Sequence, residues 1–328
     1  MCYYISMKNK FDIISIGGLT QDYICNTYGA IEIKKNNNEK YIAFDFGSKH
    51  YIDLQSKSFG GGALNSAASF SRLGLRIAVA SIIGNDIIGQ EVKYYLKNKK
   101  INETFLQTAK QKATAFSFIM NSTIIRDHLL FVYPGATERL RLIKSLSMNN
   151  HQTKYYFVTA LVGPYADYNL HYLWSLAQTK KIKVFWNPGL QQIEQIKIWQ
   201  KYFNTVEYFS VNQEECINIL QQFKVRSGSG IKSMMAELLK LGLSKVIVTC
   251  GEEGAYYYDG YEFYHQPVIS TKVKNTTGAG DAFNSGFLSG LFIYSGFVKK
   301  ALLLGARNAA AILQTYGAHE GGLSKRDL

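Results

Sequence analysis

The sequence contains few prolines and few cysteines for its length. Among 328 residues there are 4 prolines and 4 cysteines. Neither the cysteines nor the 6 histidines show the close pairing of metal ligands, so we predict neither a zinc site nor a disulfide framework. No Pro-rich linker divides the chain, and its length allows one large α/β domain or two smaller ones.

Long apolar runs and two common nucleotide-binding motifs are also missing. No apolar stretch reaches the roughly 18 residues of a membrane-spanning helix, and the first residues lack the apolar core of a signal peptide. We therefore expect a cytoplasmic protein with no membrane partner, whether translation starts at Met1 or Met7. The sequence has no GxxxxGK[ST] motif and no GxGxxG after its first strand, which excludes a P-loop enzyme and disfavours a dinucleotide dehydrogenase.

Acidic residues are fewer than basic ones. Lys and Arg number 37 against 24 Asp and Glu, for a formal net charge of +13. The lysines are spread along the chain, and no nucleic-acid-binding module accompanies them, so nucleic acid is not an expected partner. A positive field would favour the capture of ATP and of phosphorylated substrates.

The segment from Asn275 to Phe283 is the most informative part of the sequence. A β-branched run, Val268–Val273, predicts a strand before it, and an apolar pattern from Ala282 to Phe297 predicts a helix after it. Small residues at a helix N-terminus let a phosphate approach the backbone N–H groups. Asp281 in the first turn would then act as a general base, although the same pattern also occurs as an ordinary helix cap.

This segment and a second one, Gly60–Asn65, resemble the two signatures of the ribokinase-like sugar and nucleoside kinases, the pfkB family. Shorter family landmarks occur in the expected order, and the resemblance runs from about Ile13 to Gly317: Gly17–Asp22, Gly84–Gly89, Asn187–Gly189, Asn212–Glu215 and Val248–Gly254. It implies a single kinase domain over residues 11–320 with an α/β fold, a ribokinase-like three-layer αβα sandwich with a mostly parallel central sheet. It also implies a small β-sheet lid from about 27–58 and 113–133, through which family members often form homodimers.

The resemblance also implies a role for particular residues. Asp281 resembles the family's general base, and Gly278, Ala279 and Gly280 resemble its anion hole. Four residues resemble the groups that hold the acceptor's hydroxyls: Asp22, Gly61, Gly62 and Asn65.

The nucleotide side follows in the same way from the resemblance, with ATP and Mg²⁺ as the implied cofactors. Asn212 and Glu215 resemble the pair that organises the magnesium and the phosphates, with Glu215 acting on the metal through water. Their spacing is equally that of a helix capping box. The remaining matches are to the loop around the nucleotide and to the adenine site: Thr249, Gly251 and Gly254, and Asn308.

Three positions depart from the family pattern. Asn275 replaces the usual Asp that helps to hold a monovalent cation, so we predict weak or no activation by potassium. Gly62 stands where a ribose kinase typically has Lys, and no acidic residue occurs in Thr159–Pro164. Ribose itself is therefore a doubtful acceptor.

The order of the predicted elements supports the same fold independently. From about Lys154 onward, short apolar strands such as Lys183–Trp186 alternate with helices such as Ile231–Leu241, which predicts a parallel sheet with helices on both faces. Ligands bind such sheets at the carboxyl ends of their strands. The candidate polar residues fall just after predicted strands, including Asp22 after Phe11–Ile16.

The function predicted from these observations is transfer of the ATP γ-phosphate to a hydroxyl group of a small sugar. A nucleoside kinase acting on an adenosine-like acceptor shares every motif and stays open. A catalytically silent kinase-like regulator that binds a sugar or a nucleotide is an alternative of another class. A basic nucleic-acid binder is the weakest of the alternatives.

Overall fold

The computed structural model of the chain describes residues 9–27, 31–34, 40–122, 128–147, 151–226, 228–274, 276–315 and 317–328. Asn275, which carries the prediction about potassium, and both candidate start methionines lie outside these residues.

The elements follow the predicted alternation. The strands are β1 Ile13–Ile16, β2 Thr20–Thr27, β3 Ile31–Lys34, β4 Lys40–Ala43, β5 Ile52–Gly60, β6 Ile77–Gly84, β7 Asn102–Ala109, β8 Ala115–Ser122, β9 His128–Tyr133, β10 Tyr155–Val158, β11 Lys183–Trp186, β12 Val206–Asn212, β13 Val246–Thr249, β14 Ala255–Tyr258 and β15 Phe263–Gln266. The helices are α1 Gly62–Arg72, α2 Ile87–Asn98, α3 Leu142–Leu146, α4 Ala166–Lys180, α5 Leu190–Glu194, α6 Ile196–Trp199, α7 Gln213–Gln222, α8 Ile231–Lys240, α9 Ala279–Ile293 and α10 Val298–Leu313.

The large sheet has the strand order β15-β14-β13-β12-β11-β10-β1-β6-β7. Its neighbours are parallel from β7 across to β13, and the last two pairs, β13–β14 and β14–β15, are antiparallel. Strands β1, β6 and β10 are buried along their whole length, as expected for strands that are covered on both faces.

Two apolar clusters cover the two faces of the large sheet. On one face Ile14 and Val158 pack with Trp174 of α4 and Ile219 of α7. On the other face Ile13 and Phe157 pack with residues of α1, α9 and α10, including Phe70, Phe287 and Ala301. The fold is therefore the predicted three-layer αβα sandwich.

Helices α9 and α10 pack with their backbones in close contact. A methyl group on Gly286 would lie 2.9 Å from Cα of Gly305, and one on Gly290 would lie 2.6 Å from Cα of Ala301. Neither glycine has room for a side chain, so the two helix backbones are in contact. This close packing fixes the position of α9 above the sheet.

The small sheet has the order β5-β2-β8-β9, and β3 pairs with β4 separately. Strand β2 pairs in parallel with β8 and antiparallel with β5, which places Asp22 opposite Ser58 and Ser117. The sheet thus includes Thr20–Thr27, which precedes the first predicted lid segment. Asp22 was predicted at the end of a core strand, but it lies inside strand β2 of the small sheet.

The region before α9 differs from the prediction in two respects. Val268–Val273 forms no strand, because Pro267 removes a ladder donor directly after β15, and the amide of Lys274 instead donates to the Leu313 carbonyl at 2.7 Å. Helix α9 begins at Ala279, three residues before the predicted start at Ala282. Within the described part of the chain, none of the helices combines the length and apolarity that crossing a membrane requires.

Candidate active site

The N-terminus of α9 is shaped by a glycine with a left-handed backbone. Gly278 is the N-cap residue with φ of 83°, and a side chain on it would clash with the backbone carbonyl of Ala318. Gly280 is different, because it is exposed and a methyl group on it would meet no protein atom within 4 Å. The first turn of α9 is therefore fixed on one side and open on the other.

One amide of the predicted anion hole is already engaged. The N–H of Ala279 donates to the Thr276 carbonyl at 3.3 Å, which closes the turn that leads into α9. The amides at Gly280 and Asp281 belong to the first turn of the helix, whose N–H groups lack carbonyl partners within the helix itself. The backbone N–H groups of this turn that are left without a carbonyl partner in the helix are therefore those of Gly280 and Asp281.

Asp281 lies in this first turn, half-buried, and contacts α1. The side-chain amide of Asn65 donates to Oδ2 of Asp281 at 2.9 Å. Burial raises the pKa of Asp281 to about 6, and the hydrogen bond from Asn65 opposes part of that rise. A carboxyl group with this pKa is ionised at neutral pH, yet it remains basic enough to accept a proton.

Asn65 is positioned by the glycine turn before α1. Gly61 is the N-cap with φ of 88°, and a methyl group on it would lie 2.5 Å from the carbonyl oxygen of Gly18. A methyl group on Gly62 would lie 2.7 Å from Oγ1 of Thr159, at the end of β10. This turn brings the start of α1 against the carboxyl ends of β1 and β10.

Asp22 lies on the small sheet and is held by two hydroxyl groups. Oδ1 of Asp22 accepts from Oγ of Ser117 at 2.6 Å and from Oγ1 of Thr20 at 2.9 Å. Burial raises the pKa of Asp22, and the two hydroxyl donors lower it in part. Its carboxylate is packed against Gly60, where a side chain would not fit.

A cavity of about 160 Å³ opens beside these residues. We call it the acceptor cavity, and none of the described residues in its wall is charged. The lining residues are Gly17, Gly18, Thr20, Gly61, Gly62, Ala115, Val132, Pro134, Thr137, Leu140, Ala160, Leu161, Val162 and Asn169. Thr20 lines the cavity and donates a hydrogen bond to Asp22. Asn65 lies one helical turn after Gly62, another lining residue.

A second cavity of about 180 Å³ lies beyond the start of α9, and we call it the nucleotide cavity. Its wall contains the three residues predicted around the nucleotide and two from the predicted anion hole: Thr249, Gly251, Gly254, Ala279 and Gly280. The rest of the wall is mainly apolar: Ala255, Gln266, Pro267, Val268, Ile269, Phe283, Ala306, Ala309, Ala310 and Leu313.

Asn308 does not line the nucleotide cavity, although it was predicted at the adenine site. It is fully buried on the face of α10 that contacts α9 and α1. Its Nδ2 donates to the Ala282 carbonyl at 2.7 Å and to Oγ of Ser69 at 2.9 Å, and its Oδ1 accepts from the amide of Leu323 at 2.9 Å. These contacts give Asn308 a structural position, because its amide is engaged entirely within the protein.

Asn212 and Glu215 form a reciprocal capping box at the start of α7. Oδ1 of Asn212 accepts from the Glu215 amide at 2.8 Å, and Oε2 of Glu215 accepts from the Asn212 amide at 2.8 Å. Burial raises the pKa of Glu215. Among the described residues no group of three or more His, Cys, Asp and Glu side chains could hold a metal ion directly.

This arrangement fits magnesium only as an ion brought with its own water. Mg²⁺ keeps several waters and commonly contacts one or two carboxylates besides the substrate's phosphates. One carboxylate oxygen of Glu215 accepts the hydrogen bond of the cap. The other could contact such an ion through water, which is the role that the family resemblance implies.

The structure also reveals residues that the sequence reasoning missed. Thr20 and Ser117 bind Asp22, and His319 lies 3.2 Å from Asn65, between Nδ1 and Oδ1. Three alanines on one face of α10 line the nucleotide cavity: Ala306, Ala309 and Ala310. Their spacing of three and four residues was the only sequence signal that they share a helix face. No local signal marked His319, since its contacts are distant in the chain.

A hydrogen bond links the helix starts that line the two cavities. Gly61 and Gly62 line the acceptor cavity at the start of α1, and Ala279 and Gly280 line the nucleotide cavity at the start of α9. The bond between Asn65 and Asp281 joins these two helix starts.

Comparisons with known proteins place the chain among the sugar and nucleoside kinases. Ribokinase from Lactococcus lactis subsp. lactis is 24% identical, over 81% of this chain and 82% of that protein. ATP-dependent 6-phosphofructokinase from Thermoanaerobacterium thermosaccharolyticum is also 24% identical, over 94% of this chain and 90% of that protein. The structure of Burkholderia thailandensis nucleoside kinase in complex with ADP-inosine has a TM-score of 0.75 and 16% identity, over 96% of this chain and 92% of that one.

The family model of the pfkB family carbohydrate kinases matches residues 12–326, which is nearly the whole length. With its ribokinase-like fold, the chain belongs to the pfkB family of carbohydrate kinases.

Proposed function

We propose that the protein transfers the γ-phosphate of ATP to a hydroxyl group of a small uncharged sugar, with Asp281 as general base. The observation that carries this proposal is the hydrogen bond between Asn65 and Asp281. It joins the two helix starts that line separate cavities, and one of its two partners is the Asp281 carboxyl group. Such a junction suits a reaction that holds two substrates in neighbouring cavities and orients them toward one base.

The proposed reaction needs little chemistry from the protein. The acceptor's hydroxyl oxygen bonds to the γ-phosphorus as the bond to the bridging oxygen of ADP breaks, and the hydroxyl proton passes to the Asp281 carboxylate. The amides at Gly280 and Asp281, with the positive end of α9, stabilise the charge on the phosphoryl group in transfer. Bound magnesium, held by Glu215 through water, would supply further positive charge to the phosphates.

The wall of the acceptor cavity favours an uncharged acceptor. A phosphorylated or carboxylated sugar requires a cationic partner, and the described lining residues include no Lys or Arg. Asp22, Asn65 and the turn at Gly61 and Gly62 would hold the hydroxyl groups of a neutral sugar.

A nucleoside is the second candidate acceptor, and the apolar part of the same wall favours it. Val132, Pro134, Leu140, Leu161 and Val162 offer a surface against which a planar base could pack. The nucleoside kinase of similar fold, whose structure contains inosine, supports this candidate.

The test is release of ADP from ATP and Mg²⁺ across a panel of sugars, sugar phosphates and nucleosides, with Asp281→Asn assayed beside the wild type. We expect turnover with a neutral sugar or a nucleoside and its loss in the variant. Turnover with sugar phosphates alone would contradict an uncharged acceptor. Binding of ATP without turnover on any member of the panel would favour a catalytically silent regulator.

We also propose a cytoplasmic homodimer formed through the small sheet. One face of this sheet carries a row of paired aromatic side chains, Tyr23 with Phe118 and Phe116 with Tyr133, next to Phe131, which is 53% exposed. A second copy would cover these rings, as large exposed apolar patches require. Phe131→Glu should convert a dimer into a monomer in analytical ultracentrifugation, and a wild-type monomer would contradict the proposal.

A further inference from the structure

A buried histidine is linked to the proposed base, Asp281, through Asn65. Nδ1 of His319 is 3.2 Å from Oδ1 of Asn65, and Nδ2 of Asn65 donates to Oδ2 of Asp281 at 2.9 Å. His319 and Asn65 are 3% and 6% exposed, so bulk water does not compete for these contacts. The three side chains come from the segment after α10, from α1 and from α9, and they form a continuous chain of hydrogen bonds.

The direction of each hydrogen bond follows from its partners. The Asp281 carboxylate only accepts, so the Asn65 amide must present its NH₂ group to it and turn its oxygen to His319. An amide oxygen also only accepts, so Nδ1 of His319 must carry the proton. Among the described residues Nε2 has no hydrogen-bond partner, which fits a neutral ring protonated at Nδ1 alone.

The groups around His319 favour this neutral form. Arg72 of α1 donates to the backbone carbonyl of His319 at 2.9 Å, and Lys99 lies near the ring from the end of α2. The Tyr95 ring of α2 packs against the imidazole at 5.3 Å between centroids, and the half-exposed Glu320 carboxylate is 3.7 Å from Nε2. Burial and the two cations hold the pKa of His319 at about 3, so it stays neutral throughout the working range.

We propose that His319 is a positioning residue, which locks the Asn65 amide so that its NH₂ group always faces the general base. Without the lock the amide can rotate and present its oxygen to Asp281, where two acceptors would repel each other. The inference rests on the proposed function for its effect on turnover. The hydrogen-bond chain itself can be tested in the absence of any activity.

The test compares His319→Leu with His319→Asn. The side-chain nitrogen of Asn occupies the place of Nδ1 and keeps the donor, whereas Leu has nearly the same shape and no donor. The Asp281 titration is followed in the whole protein by ¹³C NMR of labelled aspartate carboxyls, identified by the signal that Asp281→Asn lacks. The pH profile of kcat/KM is measured in parallel, and thermal unfolding reports the fold.

We expect the pKa of Asp281 to rise in His319→Leu and kcat to fall about tenfold with little change in KM, the size of effect that follows loss of a buried hydrogen bond. His319→Asn should stay near the wild type in both. His151 offers a matched control, since it is also buried and bonded, 2.7 Å from the Tyr156 hydroxyl, at the opposite end of the sheet. His151→Leu should lower stability and leave the Asp281 titration unchanged.

An unchanged Asp281 titration in a folded His319→Leu protein would overturn the proposal, as would a change of equal size in His319→Asn. If the wild type transfers no phosphate while the titration shifts as expected, the proposed function fails and the positioning role stands. If the wild type is active and both His319 variants match it, the positioning role fails alone.

Discussion

Helices α7 and α9 both begin near the candidate site, and the backbone N–H groups at their N-termini are treated in opposite ways. At α7 the side chains of Asn212 and Glu215 satisfy each other's backbone amides at 2.8 Å. At α9 Gly278 offers no capping side chain, and the space beside Gly280 is open. When side chains cap the N–H groups at a helix start, they stabilise the helix. When those N–H groups are left uncapped, they can bind an anion.

The largest expected effect comes from removing the carboxylate at the open terminus. Asp281→Asn keeps the size of the side chain and removes the base, so turnover should fall by about 10²–10⁴-fold. A steady-state ADP-release assay measures it, with circular dichroism as the control for folding. Turnover near the wild-type value in the folded variant would remove Asp281 from the reaction.

The pH dependence of the wild type should follow the same group. Asp281 must be ionised to accept a proton, and burial raises its pKa to about 6. We therefore expect kcat/KM to rise about tenfold per pH unit below that value and to level off above it. A profile that is flat from roughly one pH unit below this pKa to one unit above it would contradict the assignment of Asp281 as the base.

Filling the open terminus should impair nucleotide use without harming the fold. Gly280→Ala adds a methyl group that meets no protein atom within 4 Å, and alanine favours a helix. Turnover should drop at least about tenfold, because the methyl group intrudes where a phosphate would approach the amides. The melting temperature should stay equal or rise, and a variant that is fully active would show that no anion comes this close.

Opening the filled terminus should have the smallest effect. Asn212→Ala removes the acceptor for the Glu215 amide and should lower the free energy of unfolding by about 1 kcal/mol. Asn212→Asp keeps an acceptor and serves as the matched control in urea denaturation. Turnover should change less than in the α9 variants, and a loss as large as that of Asp281→Asn would assign the start of α7 to the reaction as well.

The regular elements were the part of the fold that sequence patterns could predict. The apolar run Lys183–Trp186 is strand β11 without change, and the helix predicted over Ile231–Leu241 differs from α8 by one residue. Both are determined by local periodicity against a buried sheet. Val268–Val273 is richer in β-branched residues than Lys183–Trp186, yet it forms no strand, because a run of this kind also needs a partner strand and free amides.

The site was predictable where it depends on neighbouring residues and not where it depends on distant ones. The glycines around Asp281 and Gly61 are required by backbone turns that the local sequence already indicates. The engagement of Asn308 by Ser69, and the contact of Asn65 with His319, join positions far apart in the chain. Only the packed structure brings such partners together.

The burial of Asp281 has a consequence for the protein's response to acid. Its pKa of about 6 lies above its ordinary value of 3.8, so the folded chain binds this proton more tightly than the unfolded chain does. By proton linkage, this carboxyl group adds stability once it is protonated, below about pH 4, and the contribution is lost as the pH rises through 6. The molecule would thus be most active in the range where this one group makes folding least favourable.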